Sequence, residues 1–250
     1  MSTQPIALVT GGARGIGLAS AKALSRDGFR LVLADLDGAE VDKAAQEIGN
    51  GAIAKAIDMS DLAAIPAMFD QIEAEAGVVS VLVNNAGIAL PGDFLNYDIN
   101  DFQRVLTVNL TAVFTATQRA ARAMIANGIS GSIVNMSSIN AQVAIPAIPA
   151  YCASKGGVAQ VTKAAAIALA GHNIRVNAVG PGSIDTAMMA GVNADPAALA
   201  TAMSRTPLKR LGKPSEIAEV VAFLASDKAS YITGETIYAD GGRLGLNYTV

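Results

Sequence analysis

Short runs of apolar and β-branched residues recur along the chain at residues 6–10, 30–34, 52–57, 79–84, 132–137, 174–179 and 235–238. Many are followed directly by Gly, Asp or Asn. Between them lie stretches whose apolar positions return every three or four residues, at 16–26, 61–76, 102–126 and 215–225. The first pattern predicts strands, and the second predicts helices with one buried face. The strand runs are nearly continuous in apolar residues, which predicts a sheet covered on both faces. Repeated β-then-α order predicts right-handed crossovers and an α/β fold with a doubly wound, parallel, seven-stranded sheet. Ligands of such a sheet bind beyond the carboxyl ends of its strands, where the strand order reverses. Nothing resembling a linker interrupts the pattern, so residues 1–250 read as one domain. Residues 183–209 alone lack clear periodicity.

Composition narrows the function. Hydrophobic residues make up 52% of the 250 and charged residues 16%, which excludes disorder and exceeds the needs of one compact subunit. Buried subunit contacts are expected. A net charge of -3 argues against a nucleic-acid or anionic-membrane surface. The single cysteine, Cys152, cannot form an internal disulfide and fits a reducing compartment. Residues 1–5 lack the charged and apolar regions of a signal peptide, and apolar stretches such as 164–170 are too short to span a bilayer. A soluble cytoplasmic protein is expected. One histidine, His172, and one cysteine cannot build an all-protein zinc site, so no metal is expected. His172 precedes a strand and reads as a surface-turn residue.

Three regions carry candidate chemistry. Tyr151 lies thirteen residues after Ser138, and Lys155 four residues after Tyr151. That spacing stacks Tyr151 and Lys155 on one helix face. A phenol with an ordinary pKa of about 10 is a poor base at neutral pH, and an ammonium beside it favours the phenolate. Ser138 can donate to the oxygen of an alcohol or ketone between them. Cys152, next to Tyr151, reads as a packed small residue.

The first strand runs into Thr10-Gly11-Gly12-Ala13-Arg14-Gly15-Ile16-Gly17 and a helix. Gly11, Gly15 and Gly17 permit a sharp turn and close approach of the backbone to a pyrophosphate, with Ile16 in the helix start. The helix amino end presents free N–H groups and a positive dipole to phosphate. Asp35 ends the second strand and can accept hydrogen bonds from ribose hydroxyls while repelling a 2′-phosphate. Leu36 after it is not basic. Arg14 is a counter-signal, either a 2′-phosphate ligand or a solvated loop charge. The balance favours NAD over NADP. Asp58-Met59 and Asn84-Asn85-Ala86-Gly87, after the third and fourth strands, read either as turns or as adenine and cofactor contacts.

These motifs occur in the order of the short-chain dehydrogenase/reductase family, which the chain resembles nearly end to end through Thr10–Gly17, Asn84–Gly87, Asn109, Ser138, Tyr151/Lys155 and Pro181-Gly182. The resemblance implies a Rossmann fold and direct hydride transfer between substrate carbon and nicotinamide, without a metal. It implies that Tyr151 is the acid/base, and that Lys155 lowers its pKa and binds the nicotinamide ribose. Ser138, rather than neighbouring Ser137, orients the substrate oxygen, and Asn109 holds a water in a proton relay. Pro181, Gly182, Ile184 and Thr186 resemble the nicotinamide-contacting segment, and residues 183–209 the lid over the substrate.

Between Ser138 and Tyr151 the pocket wall offers Asn140 and Gln142 for hydroxyls and Val143 and Ile145 for apolar contact, with no basic residue. Arg205, Lys209 and Arg210 near the end of the lid remain as possible anchors for an anion. A small secondary alcohol, polyol or sugar-derived substrate oxidised with NAD is expected. The alternatives are a 3-oxoacyl-thioester (acyl carrier protein) reductase and a catalytically silent NAD-binding regulator. The family mostly forms homotetramers, and residues 102–126 and 153–170 suit close helix packing. The tail from residue 243 to 250 is expected to meet a neighbouring subunit.

Overall fold

A computed structural model describes residues 4–245. Seven parallel strands, β1 (Ile6–Thr10), β2 (Arg30–Asp35), β3 (Ile53–Ala56), β4 (Val79–Asn84), β5 (Gly131–Met136), β6 (Ile174–Pro181) and β7 (Thr236–Ala239), form one sheet in the order β3-β2-β1-β4-β5-β6-β7. The order reverses between β1 and β4, whose carboxyl ends are paired through Thr10 and Asn84. The cleft expected of a doubly wound sheet opens there.

Alternate side chains leave each strand on opposite faces, so every strand feeds two cores. Leu8, Val32, Leu82 and Ile133 join Phe69, Ile72 and Met124 on one face. These last three belong to α3 (Ala64–Glu75) and α5 (Ala112–Ala126), which with α6 (Pro149–Leu169) cover that face. Val9, Leu33, Val83 and Val134 meet Leu24, Ile217 and Leu224 on the other. That second face is covered by α1 (Gly15–Arg26), α2 (Gly38–Ile48) and α9 (Pro214–Ala225). Two buried faces explain why the strand runs are apolar without alternation.

The structure departs from the sequence expectation in three places. Helix α2 had no counterpart there, because its buried positions are only Val41, Ala44 and Ala45 and the stripe is faint. Asp37 starts it by accepting from Glu40 N. The single helix expected over 102–126 is α4 (Ile99–Leu106), a π-helical turn (Thr107–Thr111) and α5 in unbroken succession. Asp98 caps its start by accepting from Asn100 N. The stretch 183–209 contains a 3-10 turn (Ala187–Met189), α7 (Ala190–Ala194) and α8 (Pro196–Ser204). Of α8 only Ala202 is buried, so no apolar stripe announces it.

His172 is exposed in a 3-10 turn ahead of β6, as expected. In the tail, Arg243 Nη1 donates to Ser183 Oγ at 2.8 Å. Residues 246–250, the remainder of the tail expected to meet a neighbouring subunit, lie outside the described residues.

Candidate active site

The glycine loop fits a dinucleotide by its geometry. Gly11 and Gly15 adopt φ of +63° and +55°, the left-handed region that favours glycine. A Cβ on Gly11 would lie 2.9 Å from Ala86 Cα, and one on Gly17 would overlap the Gly11 carbonyl. The loop therefore packs against both α1 and the end of β4. Arg14, exposed at the N-cap of α1, supplies no side-chain cap, and the first turn carries no acidic residue. Ile16, one residue inside the helix, packs against the core as a partly buried side chain. An uncapped amino end with its positive dipole suits a phosphate group.

Thr10 and Asn85 bind this loop to the β4 end. Thr10 Oγ1 accepts from Asn85 N and Ala86 N, both at 3.1 Å. Asn85 Nδ2 donates to Thr10 O at 3.0 Å and Gly11 O at 2.9 Å. Asn85 thus acts as a clamp across the cleft floor, and Thr10, which sequence reasoning placed only at the head of the motif, is its other half. Asn84 lies deeper, donating to Asn135 Oδ1 at 2.8 Å and Thr117 Oγ1 at 3.1 Å.

Asp35 sits where the second strand ends, half-buried. Its Oδ2 accepts from Ala13 N at 3.0 Å and its Oδ1 from Leu36 N at 2.8 Å. The carboxylate braces the glycine loop and keeps further lone pairs for hydroxyl donors. Leu36 is 68% exposed beside it, an apolar face for a flat ring. Asp58 accepts from Ser60 N at 2.8 Å, which holds its carboxyl below the usual range. The Met59 side chain is buried in the core, so only its main chain can face the cleft.

Ser138, Tyr151 and Lys155 converge beyond the ends of β5 and β6, and the two serines separate cleanly. Ser137 Oγ is buried and donates to the Lys155 carbonyl at 3.2 Å, tying β5 to α6. Ser138 Oγ instead accepts from Asn140 N at 3.1 Å and lies within reach of the Tyr151 phenol. Lys155 lies one turn along α6 from Tyr151, with Nζ 5.4 Å from the centre of the ring. The same Nζ donates to the Met136 carbonyl at 2.7 Å.

Burial disfavours the charged form of both groups. It pushes the Tyr151 phenol up, against the lowering effect of the Ser138 hydrogen bond. It brings the Lys155 ammonium down to about 8. The lowering of the phenol that the family resemblance assigns to Lys155 has to act against this burial.

Asn109, in the π-helical turn, is fully buried. Its Oδ1 accepts from Ile88 N at 2.8 Å, and its Nδ2 donates to Ile88 O at 2.9 Å and Ser154 Oγ at 3.1 Å. Ser154 Oγ passes on to the Tyr151 carbonyl at 2.7 Å. The side chain is committed to holding the β4 loop against α6. Gly87 makes this approach possible: a Cβ there would lie 3.3 Å from Asn109 Oδ1 and 3.6 Å from Lys155 Nζ. Ser154 was not among the sequence candidates, since a helix serine gives no sequence signal without its partner.

On the far side of the cleft, Pro181 ends β6 and Gly182 packs so closely on Asp240 that a Cβ would sit 2.7 Å from its Cα. The Ile184 side chain is buried, and its main chain forms a β-bridge to Gly212. Thr186 reaches back over the glycine loop, with Cγ2 3.7 Å from where a Cβ on Gly15 would stand. Of the basic residues near the end of the 183–209 stretch, Arg210 is taken by a bidentate pair with Glu216 at 2.7 and 2.6 Å. Among the described residues no three His, Cys, Asp or Glu side chains gather as a metal site. No described helix is long and apolar enough to cross a membrane.

A doubly wound sheet, a glycine-rich βα turn at its switch point and a Ser/Tyr/Lys cluster beyond the end of β5 define a dinucleotide-dependent oxidoreductase. A family model described as Enoyl-(Acyl carrier protein) reductase matches residues 11–243. Cis-4-hydroxycyclohexanecarboxylate dehydrogenase of Sinomonas cyclohexanicum is 43% identical over 240 residues, covering 95% of each chain. Galactitol 2-dehydrogenase (L-tagatose-forming) of Cereibacter sphaeroides is 41% identical over 239 residues, covering 94% of this chain and 93% of its own. The crystal structure of a gluconate 5-dehydrogenase from Burkholderia cenocepacia, in complex with NADP and tartrate, superposes with a TM-score of 0.93 at 33% identity, covering 97% and 96% of the two chains. The chain belongs to the short-chain dehydrogenase/reductase family.

Proposed function

We propose that the protein interconverts a small secondary alcohol, of polyol or sugar-derived type, and its ketone, with NAD as the redox partner and Tyr151 as the acid/base. The observation that carries this is the convergence of Ser138, Tyr151 and Lys155 beyond the carboxyl end of β5. NAD, when bound, supplies the hydride acceptor for oxidation and the donor for reduction. The chain does the rest. Ser138 donates to the carbinol oxygen, and Tyr151 removes its proton in oxidation and returns it in reduction. Lys155 holds the nicotinamide ribose, and the main chain of Asn109 holds a water that passes the proton outward. Gly11, Arg14, Gly15, Ile16 and Gly17 cradle the pyrophosphate. Asp35 takes the adenosine ribose, and Leu36, Asp58 and the Met59 main chain bound the adenine. Asn85, Ala86 and Gly87 form the floor, and Pro181, Gly182, Ile184 and Thr186 face the nicotinamide.

Residues 183–209 form the lid, and the chain acts as one domain. The relatives acting on a hydroxycyclohexane carboxylate and on galactitol support a secondary alcohol. Asp35 supports NAD, whereas the Burkholderia neighbour carries NADP, so both cofactors belong in the test. The second reading, reduction of a 3-oxoacyl thioester, is favoured by the 3-oxoacyl-[acyl-carrier-protein] reductase of Thermotoga maritima, 39% identical over 240 residues.

Assembly as a homotetramer is supported by Phe114 on α5 and Ile167 on α6, which are 49% and 82% exposed. The one cysteine supports the cytoplasm as its compartment.

The test is NADH and NADPH formation from polyols, sugar acids and simple secondary alcohols, with 3-oxoacyl thioester reduction in parallel. Oxidation of an alcohol with NAD is expected. Rapid thioester reduction with NADPH and no alcohol oxidised would overturn the reading.

A further inference from the structure

The wall between Ser138 and Tyr151 is held from α6 by the only cysteine of the chain. Cys152 Sγ accepts from Ile145 N at 3.5 Å and from Asn140 Nδ2 at 3.7 Å, and its thiol donates to Ile145 O at 3.9 Å. Asn140 Nδ2 also donates to Val143 O at 3.4 Å. Each contact is long, but together they settle which way the Asn140 amide faces. Its two N–H bonds point to Cys152 and Val143, so Oδ1 points to Ser138. There it accepts the Ser138 hydroxyl proton at 3.2 Å, while the Asn140 main-chain N–H donates to Ser138 Oγ at 3.1 Å. The polar atoms of Asn140, expected from sequence to touch substrate, are committed within the wall.

The Ser138 proton consequently has two acceptors, Asn140 Oδ1 and the Tyr151 phenol oxygen. A flipped Asn140 amide would present N–H instead of oxygen to Ser138 and drive that proton onto Tyr151.

We propose that Asn140, latched by Cys152, is a positioning residue that aims the Ser138 hydroxyl: it holds the proton away from Tyr151 until a substrate oxygen takes it. This rests on the reading of Ser138 as the donor to the substrate oxygen. The main-chain N–H into Ser138 Oγ meanwhile polarises the hydroxyl and strengthens it as a donor.

The pH profile of alcohol oxidation separates positioning from packing. Removing the Asn140 acceptor in N140A leaves the Ser138 proton on Tyr151 and favours the phenolate. The acidic limb of kcat/KM then moves to lower pH, while kcat falls about tenfold, the worth of one ordinary hydrogen bond. KM for the cofactor stays unchanged. N140D holds the proton and adds negative charge, so the limb moves up. C152A shifts the limb as N140A does, but less, and C152S recovers part of the loss.

Limbs of N140A and N140D that coincide with that of the unaltered protein, with kcat within twofold, would overturn the proposal. If the unaltered protein oxidises no alcohol, the parent reading fails, and the latch is judged by thiol chemistry alone. Alkylation of Cys152 by N-ethylmaleimide, followed by mass spectrometry, is then faster in N140A if the latch exists. An equal rate rules it out.

Discussion

The Lys155 ammonium stands over the Tyr151 ring, 5.4 Å from its centre. It is one helical turn away, as residues four apart on a helix must be. The sheet supplies what that spacing does not, namely a main-chain acceptor on Met136 and a buried setting that disfavours charge on both groups.

Lys155 is held at about 8 against an ordinary 10.5. Its folded-state pKa is depressed, so the unfolded chain binds the proton more tightly between those values, and stability rises with pH across that window. The rise is on the order of 3 kcal/mol. Tyr151 acts in the opposite sense: its raised pKa contributes stability that is lost only as pH climbs past the ordinary phenol value of 10.0. Urea midpoints should therefore climb from pH 7 to 9.5, and the climb should flatten in K155M. A K155M variant with an undiminished slope would assign the slope elsewhere.

Replacing Tyr151 with Phe keeps the ring under Lys155 and removes only the proton carrier. Turnover should drop by about a thousandfold or more, within the range attributed to general acid–base catalysis. NAD binding, followed by calorimetry, should stay within about threefold of the unaltered protein. Retained turnover would remove Tyr151 from the chemistry.

The adjacent serines should part company. S138A loses its donor to the substrate oxygen, and kcat should fall about a hundredfold with little change in melting temperature. S137A loses the bond to the Lys155 carbonyl and should lower stability by about 1 kcal/mol while keeping most activity. Kinetics and thermal melts on both variants decide it, and the reverse pattern would exchange their roles.

A methyl group at Gly17 has nowhere to go, because it overlaps the Gly11 carbonyl. G17A should cost about 1–3 kcal/mol of stability and weaken NAD binding as the loop is displaced. G87A meets softer neighbours at 3.3 and 3.6 Å, Asn109 Oδ1 and Lys155 Nζ, and should lower kcat more than it lowers stability. Chemical unfolding alongside steady-state kinetics reads both effects.

Cofactor choice should follow Asp35. On our proposal D35S removes the carboxylate that repels a 2′-phosphate, and the ratio of kcat/KM for NADP over NAD should rise at least about tenfold. Because Asp35 also accepts from Ala13 N, some loss of stability is expected with it. An unchanged ratio would shift the choice to Arg14.

The sheet, its cleft and the spacing of Tyr151 and Lys155 are legible in the amino-acid order alone. Each of these is written in local order: apolar runs for two-sided strands, glycines where φ must be positive, and Tyr151 and Lys155 at one helical turn. Helix α2 escaped because small alanines carry its buried face. The break of 102–126 into two α-helices around a π turn escaped because the apolar spacing runs through it.

Whatever depends on partners far apart in the chain shows only in the folded molecule. Family spacing picks Ser138 over Ser137, but what Ser137 does instead shows only when it meets the Lys155 carbonyl. Thr10 becomes a clamp only when β4 brings Asn85 beside it. Asn109 is a fastening for Ile88 and Ser154. Asn140 turns its oxygen to Ser138 because Cys152, twelve residues on, takes its N–H. The ionisation of Tyr151 and Lys155 is set by burial, which no stretch of sequence contains, because desolvation is a property of everything packed around a group.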